Sequence, residues 1–188
     1  MIKIGITGSL ASGKTTASKI LSFRRGPLFS ADKAVKELYK NKHFKFLVSR
    51  RFGVKNNSLL KKSLKKLILK NKVNIKKLER IIHPLVRKKM KNFTSQNKNK
   101  KLLFYEIPLL IESKLMKNFN VIIFVKAKKK LRLKRFQSKN GNKKLFNLLN
   151  NKQMNDVKKI KFCDHVVVNE KNLNILKKNL LAIINKYE

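Results

Sequence analysis

A glycine-rich segment near the start of the chain carries the residue types that bind a phosphate chain. Gly8 and Gly13 enclose four residues, and Lys14 and Thr15 follow directly. Glycine permits positive φ, so that backbone N–H groups can point at a phosphate. The lysine can reach the β- and γ-phosphates of a nucleotide, and the threonine hydroxyl can ligate Mg²⁺. The spacing matches the P-loop pattern at every required position and predicts binding of ATP or GTP.

The elements on either side of this loop support the same interpretation. The apolar run over residues 2–6 predicts a strand that leads into the loop, and residues 15–21 predict a helix that follows it. The N-terminus of such a helix attracts an anion through its dipole and its N–H groups. With Lys14 as a catalytic residue and Thr15 as the metal ligand, we expect the nucleotide site to include Gly8, Ala11, Ser12, Gly13, Lys14, Thr15 and Thr16.

Carboxylates that could act on an acceptor are scarce, because the chain has only nine Asp and Glu residues. Asp32 follows the second predicted strand, and Glu106 lies at the end of the third. Ligands of open α/β sheets bind beyond the carboxyl ends of the strands, so we expect both carboxylates near the loop. We interpret Asp32 as the carboxylate that orients or deprotonates the acceptor. The same side chain can also cap a helix that begins at Lys33.

A basic segment over residues 127–155 has helical patterns that are interrupted at Asn140-Gly141. A phosphoryl-transfer enzyme excludes water from its site, and a mobile lid with cations does this while it neutralises transition-state charge. Arg132, Arg135 and Lys139 lie in this segment. We expect Arg135 to carry the catalytic role.

One histidine stands in a pattern that could bind a substrate. His83 precedes Pro84 on an apolar helical face, which is typical of a buried residue at a bend. Arg87 follows four residues later and could share a face with His83, where it would meet an anionic substrate. No Cys/His set has zinc spacing, and no Ser/His/Asp arrangement is suggested.

The order of predicted elements is typical of a three-layer α/β domain with a mainly parallel five-stranded sheet. Further strands are predicted at residues 27–31, 102–107, 121–125 and 166–168. Helices are predicted at residues 33–39, 59–70, 75–90 and 173–187, and a loop at 94–101. We predict one P-loop NTPase domain with a core of about residues 1–31, 101–126 and 156–188, a helical substrate-binding insertion over about 32–100 and a lid over about 127–155.

The net charge is +40, from 49 Lys and Arg residues against nine acids. Such a charge is typical of proteins that bind nucleic acid or an anionic membrane. The basic residues are mostly lysines spread along nearly the whole chain, so we interpret them as a composition bias and expect no nucleic-acid partner. No apolar run is long enough to span a membrane, no signal peptide precedes the first strand, and there is one cysteine. These features predict a cytoplasmic protein, either a monomer or a weak homo-oligomer.

Several segments together resemble the dephospho-CoA kinase family over essentially the whole chain. The opening Ile4-Gly5-Ile6-Thr7-Gly8 with the loop is shared by many families, whereas Leu78-Glu79-Arg80-Ile81-Ile82-His83-Pro84-Leu85-Val86 and Ile107-Pro108-Leu109-Leu110-Ile111-Glu112 are far more specific. Ala31-Asp32-Lys33, Asn140-Gly141, Gln153 and the closing Cys163-Asp164-His165-Val166-Val167-Val168-Asn169 fall in the family's order.

The resemblance implies a reaction and a set of roles. ATP with Mg²⁺ would phosphorylate the ribose 3′-hydroxyl of dephospho-CoA and give CoA and ADP. Asp32 would be the general base, and Arg135 and Asn169 would join the ATP site. The helical insertion would hold the acceptor, and the substrate-binding residues would be Asp32, His83, Arg87, Glu106, Pro108 and Leu109.

The chain departs from the family pattern at several positions. Ser9 and Ala11 stand where the loop usually has glycine, and Glu106 stands where Asp is frequent. Lys139 replaces a lid arginine, and Leu149 replaces another arginine before the glutamine. Lysine supplies a positive charge but cannot form the bidentate hydrogen bonds of arginine. We therefore expect Arg135 to provide more of the contact with the transferring phosphate.

Two alternatives remain at the level of sequence. Another small-molecule kinase, for nucleoside monophosphates, shikimate or gluconate, would share the loop and lid without needing the His-Pro and Pro-Leu-Leu-x-Glu segments. A nucleic-acid-binding ATPase would show steep salt dependence of its affinity for DNA or RNA. It would also be expected to end an apolar strand in a magnesium-binding Asp, whereas the third strand ends in Glu106-Ile107.

Overall fold

The computed structural model describes the backbone of all 188 residues and every side chain except those of residues 68–70 and 72. The chain divides into two compact units. The first unit comprises Met1–Ser30 and Asn97–Glu188, and the second comprises Ala31–Gln96. None of the helices among the described residues is long and apolar enough to cross a membrane.

The first unit is built on a five-stranded parallel sheet with the spatial order β2-β3-β1-β4-β5. The strands are β1 (Ile2–Gly8), β2 (Leu28–Ser30), β3 (Leu102–Glu106), β4 (Val121–Lys126) and β5 (His165–Val168). The register of the central strand pairs Ile6 with Glu106 on β3 and with Ile123 on β4. The carboxyl ends of β1 and β3 therefore meet at one edge of the sheet.

The part of the chain that the structure describes contains nine helices, which lie between the strands or follow the last one. They are α1 (Lys14–Ser22), α2 (Ala31–Leu38), α3 (Lys42–Phe52), α4 (Leu60–Lys70), α5 (Lys72–Gln96), α6 (Lys129–Gln137), α7 (Lys143–Asn150), α8 (Asp156–Ile160) and α9 (Leu173–Ile184). A short 3₁₀ turn, Met116–Asn118, precedes β4. Asparagine side chains cap four of the helices by accepting hydrogen bonds from N–H groups of the first turn, namely at α3, α7, α8 and α9.

The core of the first unit forms because its central strands are apolar on both faces. Every residue of β3 is buried, as are five of the six residues of β4. Helices α1 and α9 cover the sheet with buried apolar residues, among them Ala17, Leu21, Leu176 and Leu180. Because both faces of these strands are buried, their sequences are continuous apolar runs and do not alternate between apolar and polar residues.

The second unit has its own apolar core and consists of α2 to α5. Phe44, Val48, Leu60 and Leu64 are nearly inaccessible, and the apolar face of α5 packs against them. Gly53 ends α3 with φ of 61°, which a glycine adopts without steric cost. This unit therefore holds its shape through side-chain packing between helices.

The predicted α/β class and parallel sheet are confirmed, and the errors concern boundaries of helices. Helix α3 was not predicted individually, because its apolar face is narrow and five of its eleven residues are basic or histidine. Residues 94–96 belong to α5, so the predicted loop begins three residues too early. Helix α2 begins at Ala31, and Asp32 is therefore inside the first turn rather than the cap of a helix from Lys33.

Candidate functional site

The loop between β1 and α1 has the backbone geometry that its glycines predict. Gly8 has φ of 152° and Gly13 has φ of 99°, values that residues with a side chain rarely adopt. A Cβ at Gly8 would lie 2.4 Å from the carbonyl oxygen of Val125, and one at Gly13 would lie 2.1 Å from Nδ2 of Asn169. Space and backbone angle therefore both require glycine at these two positions.

Ala11 is a third left-handed position in the loop, with φ of 58°. The side chain makes this conformation cost about 1 kcal/mol relative to glycine. The surrounding contacts must offset this strain. The loop keeps its turn, with the Ser12 N–H donating to the Ser9 carbonyl oxygen at 3.1 Å.

The start of α1 is suited to an anion. Gly13 occupies the cap position without a side chain that could satisfy the first N–H groups, and the first turn contains no acidic residue. The Lys14 side chain is 9% exposed, and its Nζ donates to the carbonyl oxygen of Ser9 at 2.8 Å. The hydroxyl of Ser12 is fully buried and has no hydrogen-bond partner among the described residues. The Lys14 ammonium and the Ser12 hydroxyl therefore both lie at the loop between β1 and α1.

Thr15 and Glu106 meet at the carboxyl edge of the sheet. The Thr15 hydroxyl donates to Oε1 of Glu106, whose side chain is 3% exposed. A hydroxyl and a carboxylate oxygen are the ligand types that Mg²⁺ prefers. No group of three His, Cys, Asp or Glu side chains able to hold a metal exists among the residues whose side chains are described. The donor set fits a magnesium ion that takes its remaining ligands from nucleotide phosphates and water.

Arg135 and Asn169 close around the second half of the loop. Nη1 of Arg135 donates to the carbonyl oxygens of Ser12 at 3.4 Å and of Asn169 at 3.1 Å. Nδ2 of Asn169 donates to the Ser12 carbonyl at 2.8 Å. The structure thus brings two predicted nucleotide-site residues onto the loop from α6 and from the end of β5.

Pro108 and Leu109, which follow β3, lie beside β1. The Pro108 carbonyl oxygen accepts a hydrogen bond from the Thr7 hydroxyl at 3.2 Å. Leu109 is half-buried, and Leu110 behind it is fully buried. Further along the same segment, Oε1 of Glu112 forms an ion pair of 2.6 Å with the fully buried Lys159 of α8 and accepts from the Met154 N–H at 3.1 Å. The Pro-Leu-Leu-Ile-Glu segment is therefore anchored at both ends.

Three of the remaining predicted site residues belong to the second unit, and one belongs to the first. Asp32 is exposed in the first turn of α2. His83 is half-buried on α5, next to Pro84 inside the helix, and Arg87 is exposed one turn later on the same helix. Thr16, on α1 of the first unit, is exposed beside Thr15.

Three residues that contact the loop were not assigned to it from the sequence. Arg132 donates to the carbonyl oxygen of Leu10, Gln153 accepts from the Leu10 N–H, and Asp156 accepts from the Ser9 hydroxyl. Arg132 was predicted only as one of several lid cations, and Gln153 only as part of a resemblance. Their sequence distance from the loop exceeds 120 residues, so no local pattern could reveal these contacts.

Comparison with known proteins decides the family. The sequence model of the dephospho-CoA kinase family matches residues 2–174, so that Met1, most of α9 and the residues after α9 lie outside the match. The chain belongs to the dephospho-CoA kinase family. Members of this family are kinases, that is, phosphotransferases that use ATP.

Similar proteins support membership of the dephospho-CoA kinase family. The dephospho-CoA kinase of Bartonella quintana is 36% identical over 186 residues, covering 96% of this chain and 95% of its own. A crystal structure from Thermus thermophilus superposes with a TM-score of 0.83 at 26% identity and covers 100% of this chain and 98% of that one. Dephospho-CoA kinase from Campylobacter jejuni has the same fold, with a TM-score of 0.67 at 23% identity, over 99% of this chain and 97% of its own.

Proposed function

We propose that this chain phosphorylates the ribose 3′-hydroxyl of dephospho-CoA with ATP and releases coenzyme A and ADP, the last step of coenzyme A synthesis. The observation that carries the proposal is the family match over residues 2–174 together with an intact phosphate loop. The alternatives, another small-molecule kinase or a nucleic-acid-binding ATPase, do not account for a match of this length. The following roles of individual residues are part of the proposal.

The loop binds the triphosphate of ATP. Backbone N–H groups between Gly8 and Thr16 surround the phosphates, and the dipole of α1 adds to the attraction. Lys14, which donates to the Ser9 carbonyl in this structure, turns its ammonium to the β- and γ-phosphates. Ala11, Ser12 and Gly13 complete the inner surface of the loop. Arg135 and Asn169 border this site, since both contact the Ser12 carbonyl oxygen.

Thr15 and Glu106 hold the Mg²⁺ that accompanies ATP. Oxygen ligands at this point suit a small, hard cation, and the ion supplies charge neutralisation at the phosphates when it is bound. Thr15 contributes its hydroxyl, and Glu106 orients that hydroxyl or binds through water. The buried position of Glu106 also allows it, with Pro108 and Leu109, to border the acceptor.

Asp32 acts as general base toward the acceptor. The 3′-oxygen forms a bond to the γ-phosphorus while the bond from that phosphorus to the bridging oxygen of ADP breaks. The proton of the 3′-hydroxyl passes to the Asp32 carboxylate, and ADP leaves with the bridging oxygen. A carboxylate positioned in this way contributes about 100- to 10,000-fold to the rate.

The helical second unit, Ala31–Gln96, which nearly coincides with the predicted insertion over about 32–100, holds the acceptor. His83 and Arg87 present a ring nitrogen and a guanidinium one turn apart on α5, and both suit the phosphate groups of dephospho-CoA. The segment 127–155 acts as the lid, with Arg135 as its catalytic cation. Lid closure excludes water, which would otherwise accept the phosphoryl group.

The enzyme acts on a small molecule in the cytoplasm, as a monomer or a weak homo-oligomer. The lysine-rich surface is a composition bias rather than a nucleic-acid site, and it attracts anionic substrates over short range. Because salt screens exposed charges beyond about 10 Å at 0.1 M, this attraction is expected to weaken as salt is added.

A panel of acceptors tests the reaction. ADP release from Mg·ATP is measured by a coupled assay with dephospho-CoA, AMP, shikimate, gluconate or single-stranded DNA. Turnover with dephospho-CoA alone is expected. Turnover with one of the other small acceptors alone would replace the proposed substrate and keep a kinase. Stimulation by DNA alone would mean that the charge, not the family resemblance, identifies the function.

A further inference from the structure

The first half of the phosphate loop is held from outside by side chains of a distant segment. The hydroxyl of Ser9 donates to Oδ1 of Asp156, the first residue of α8. The backbone N–H and the carbonyl oxygen of Leu10 both form hydrogen bonds with side chains. Its N–H donates to Oε1 of Gln153 at 2.9 Å, and its carbonyl oxygen accepts from Nη1 of Arg132 at 3.3 Å. Three side chains thus fix two consecutive residues of the loop.

Arg132 is itself rigidly placed. Its side chain is 6% exposed, Nη1 also donates to Oδ1 of Asn150 at 2.8 Å, and Nε donates to the Ala127 carbonyl oxygen at 3.1 Å. Burial lowers the pKa of this guanidinium, and the negative charge of Asp156 opposes that shift. A buried cation is tolerated when hydrogen-bond acceptors and a nearby anion surround it, and the Asn150, Ala127 and Leu10 oxygens together with the charge of Asp156 provide this for Arg132.

Asp156 is otherwise an unfavourable neighbour for an anion-binding loop. A carboxylate close to the phosphates repels ATP, so its presence at the loop calls for a compensating role. The geometry offers such a role, because the carboxylate restrains the hydroxyl of Ser9.

We propose that Asp156 and Arg132 are positioning residues, which hold Ser9 and Leu10 so that the loop is ready to receive the phosphates of ATP. This inference rests on the proposed function only for the identity of the nucleotide. A loop that populates the binding-competent form for only a fraction of the time binds its ligand more weakly by that fraction. Loss of the Ser9–Asp156 bond is expected to weaken ATP binding about 10-fold, which corresponds to one charge-assisted hydrogen bond.

Four variants test the proposal by titration calorimetry with Mg·ATP on the full chain. Asp156→Ala and Ser9→Ala each remove one partner of the bond, and the double variant removes both. Asp156→Asn keeps an acceptor for the hydroxyl and removes the charge. Glu188→Ala is the control for loss of an acidic residue, because Glu188 pairs only with Arg25 among the side chains described.

A positioning role of Asp156 predicts a particular order of ATP affinities among these variants. Each Ala variant weakens ATP binding about 10-fold, the double variant is no weaker than either, and Asp156→Asn binds at least as tightly as the unaltered protein. The turnover number at saturating ATP changes by less than about 3-fold, because the loop is fully ordered once ATP is bound. Glu188→Ala binds ATP as the unaltered protein does.

Three results would overturn the proposal: unchanged affinity in both Ala variants, additive losses in the double variant, or an Asp156→Asn variant as weak as Asp156→Ala. If Asp156→Ala does not fold, Ser9→Ala decides the matter, since it removes only one oxygen atom. Thermal unfolding midpoints of all variants separate a local effect from a general loss of stability. An unaltered protein that binds ATP but does not phosphorylate dephospho-CoA would remove the proposed substrate and leave the positioning result standing.

Discussion

The hydroxyl of Thr15 donates a hydrogen bond to the carboxylate of Glu106, with 2.5 Å between Oγ1 and Oε1. The register of the sheet explains this meeting of residues that are 91 positions apart. Glu106 ends β3 opposite Ile6 of β1, two residues before Gly8, so it reaches the sheet edge where the loop begins. A glutamate at the end of an apolar strand is thus buried next to Thr15, the second residue of α1.

Removing the Thr15 hydroxyl should raise the requirement for Mg²⁺. In Thr15→Val the magnesium concentration for half-maximal turnover is expected to rise at least about 10-fold, because a ligand oxygen is lost while the shape is kept. Thr15→Ser, the matched control, retains the oxygen and should stay within about 3-fold. Magnesium titrations at fixed ATP measure both. An equal shift in the two variants would show that the hydroxyl is not a ligand.

Gly13→Ala and Gly53→Ala separate steric exclusion from backbone strain. Both positions have positive φ, 99° and 61°, so each alanine is expected to cost about 1 kcal/mol of stability. Only at Gly13 does the new Cβ collide, at 2.1 Å from Nδ2 of Asn169, whereas nothing lies within 4 Å at Gly53. Gly13→Ala should therefore also weaken ATP binding at least about 10-fold. Calorimetric titration that finds equal ATP affinities in the two variants would contradict the close approach of Asn169 to the loop.

Asp32→Asn should abolish most turnover without preventing nucleotide binding. The expected fall in turnover number is at least about 100-fold, because the amide cannot accept the proton of the acceptor. Glu37→Gln is the matched control, since Glu37 is an exposed acid on the same helix that pairs with Lys89 at 2.7 Å. Steady-state assays and ATP titrations measure the two effects separately. Turnover in Asp32→Asn close to that of Glu37→Gln would reject Asp32 as the base.

The thiol of Cys163 should react slowly in the folded protein. Burial raises its pKa to about 11 from an ordinary value of 9.0, the carboxylate of Asp164 adds to the rise, and Lys159 opposes it. At pH 8 the thiolate fraction is then about 100-fold lower than in the unfolded chain, and alkylation by iodoacetamide should slow accordingly. Rates with and without denaturant measure this, and equal rates would contradict the burial.

The raised pKa of the Cys163 thiol predicts that the free energy of unfolding depends on pH. The folded state retains the thiol proton to higher pH than the unfolded chain does, so the unfolded chain loses it first as pH rises. The contribution of Cys163 to the free energy of unfolding is therefore constant below about pH 9 and decreases between about pH 9 and 11. Denaturant titrations of the Cys163→Ser variant should lack this part of the decrease.

The sheet and the loop were predictable because their patterns are local. Continuous apolar runs identify strands buried on both faces, and the glycine spacing identifies the turn between β1 and α1. Glu106 was placed near the loop by a topological argument alone, and its contact with Thr15 agrees with that placement. The boundaries of helices were less predictable, since α5 continues through polar residues up to Gln96.

The outer contacts of the loop were beyond prediction from the sequence. Asp156 was only one of nine acidic residues, and nothing in its neighbourhood indicates a bond to Ser9, 147 positions away. The sequence ranked Arg135 above Arg132 among the lid cations, but it did not indicate that Arg132 is buried against Leu10 while Arg135 donates to Ser12 and Asn169. The different contacts of the two arginines arise from tertiary packing, which cannot be predicted from local patterns of residues.

The most direct test of the account identifies the phosphorylated product. The purified chain is incubated with Mg·ATP and either dephospho-CoA or its 3′-deoxy analogue, and the products are analysed by mass spectrometry and phosphorus NMR. The account predicts one added phosphoryl group on dephospho-CoA, at the 3′-oxygen, and none on the analogue. Phosphorylation of the analogue, or no added phosphoryl group on dephospho-CoA while ATP binds normally, would contradict it.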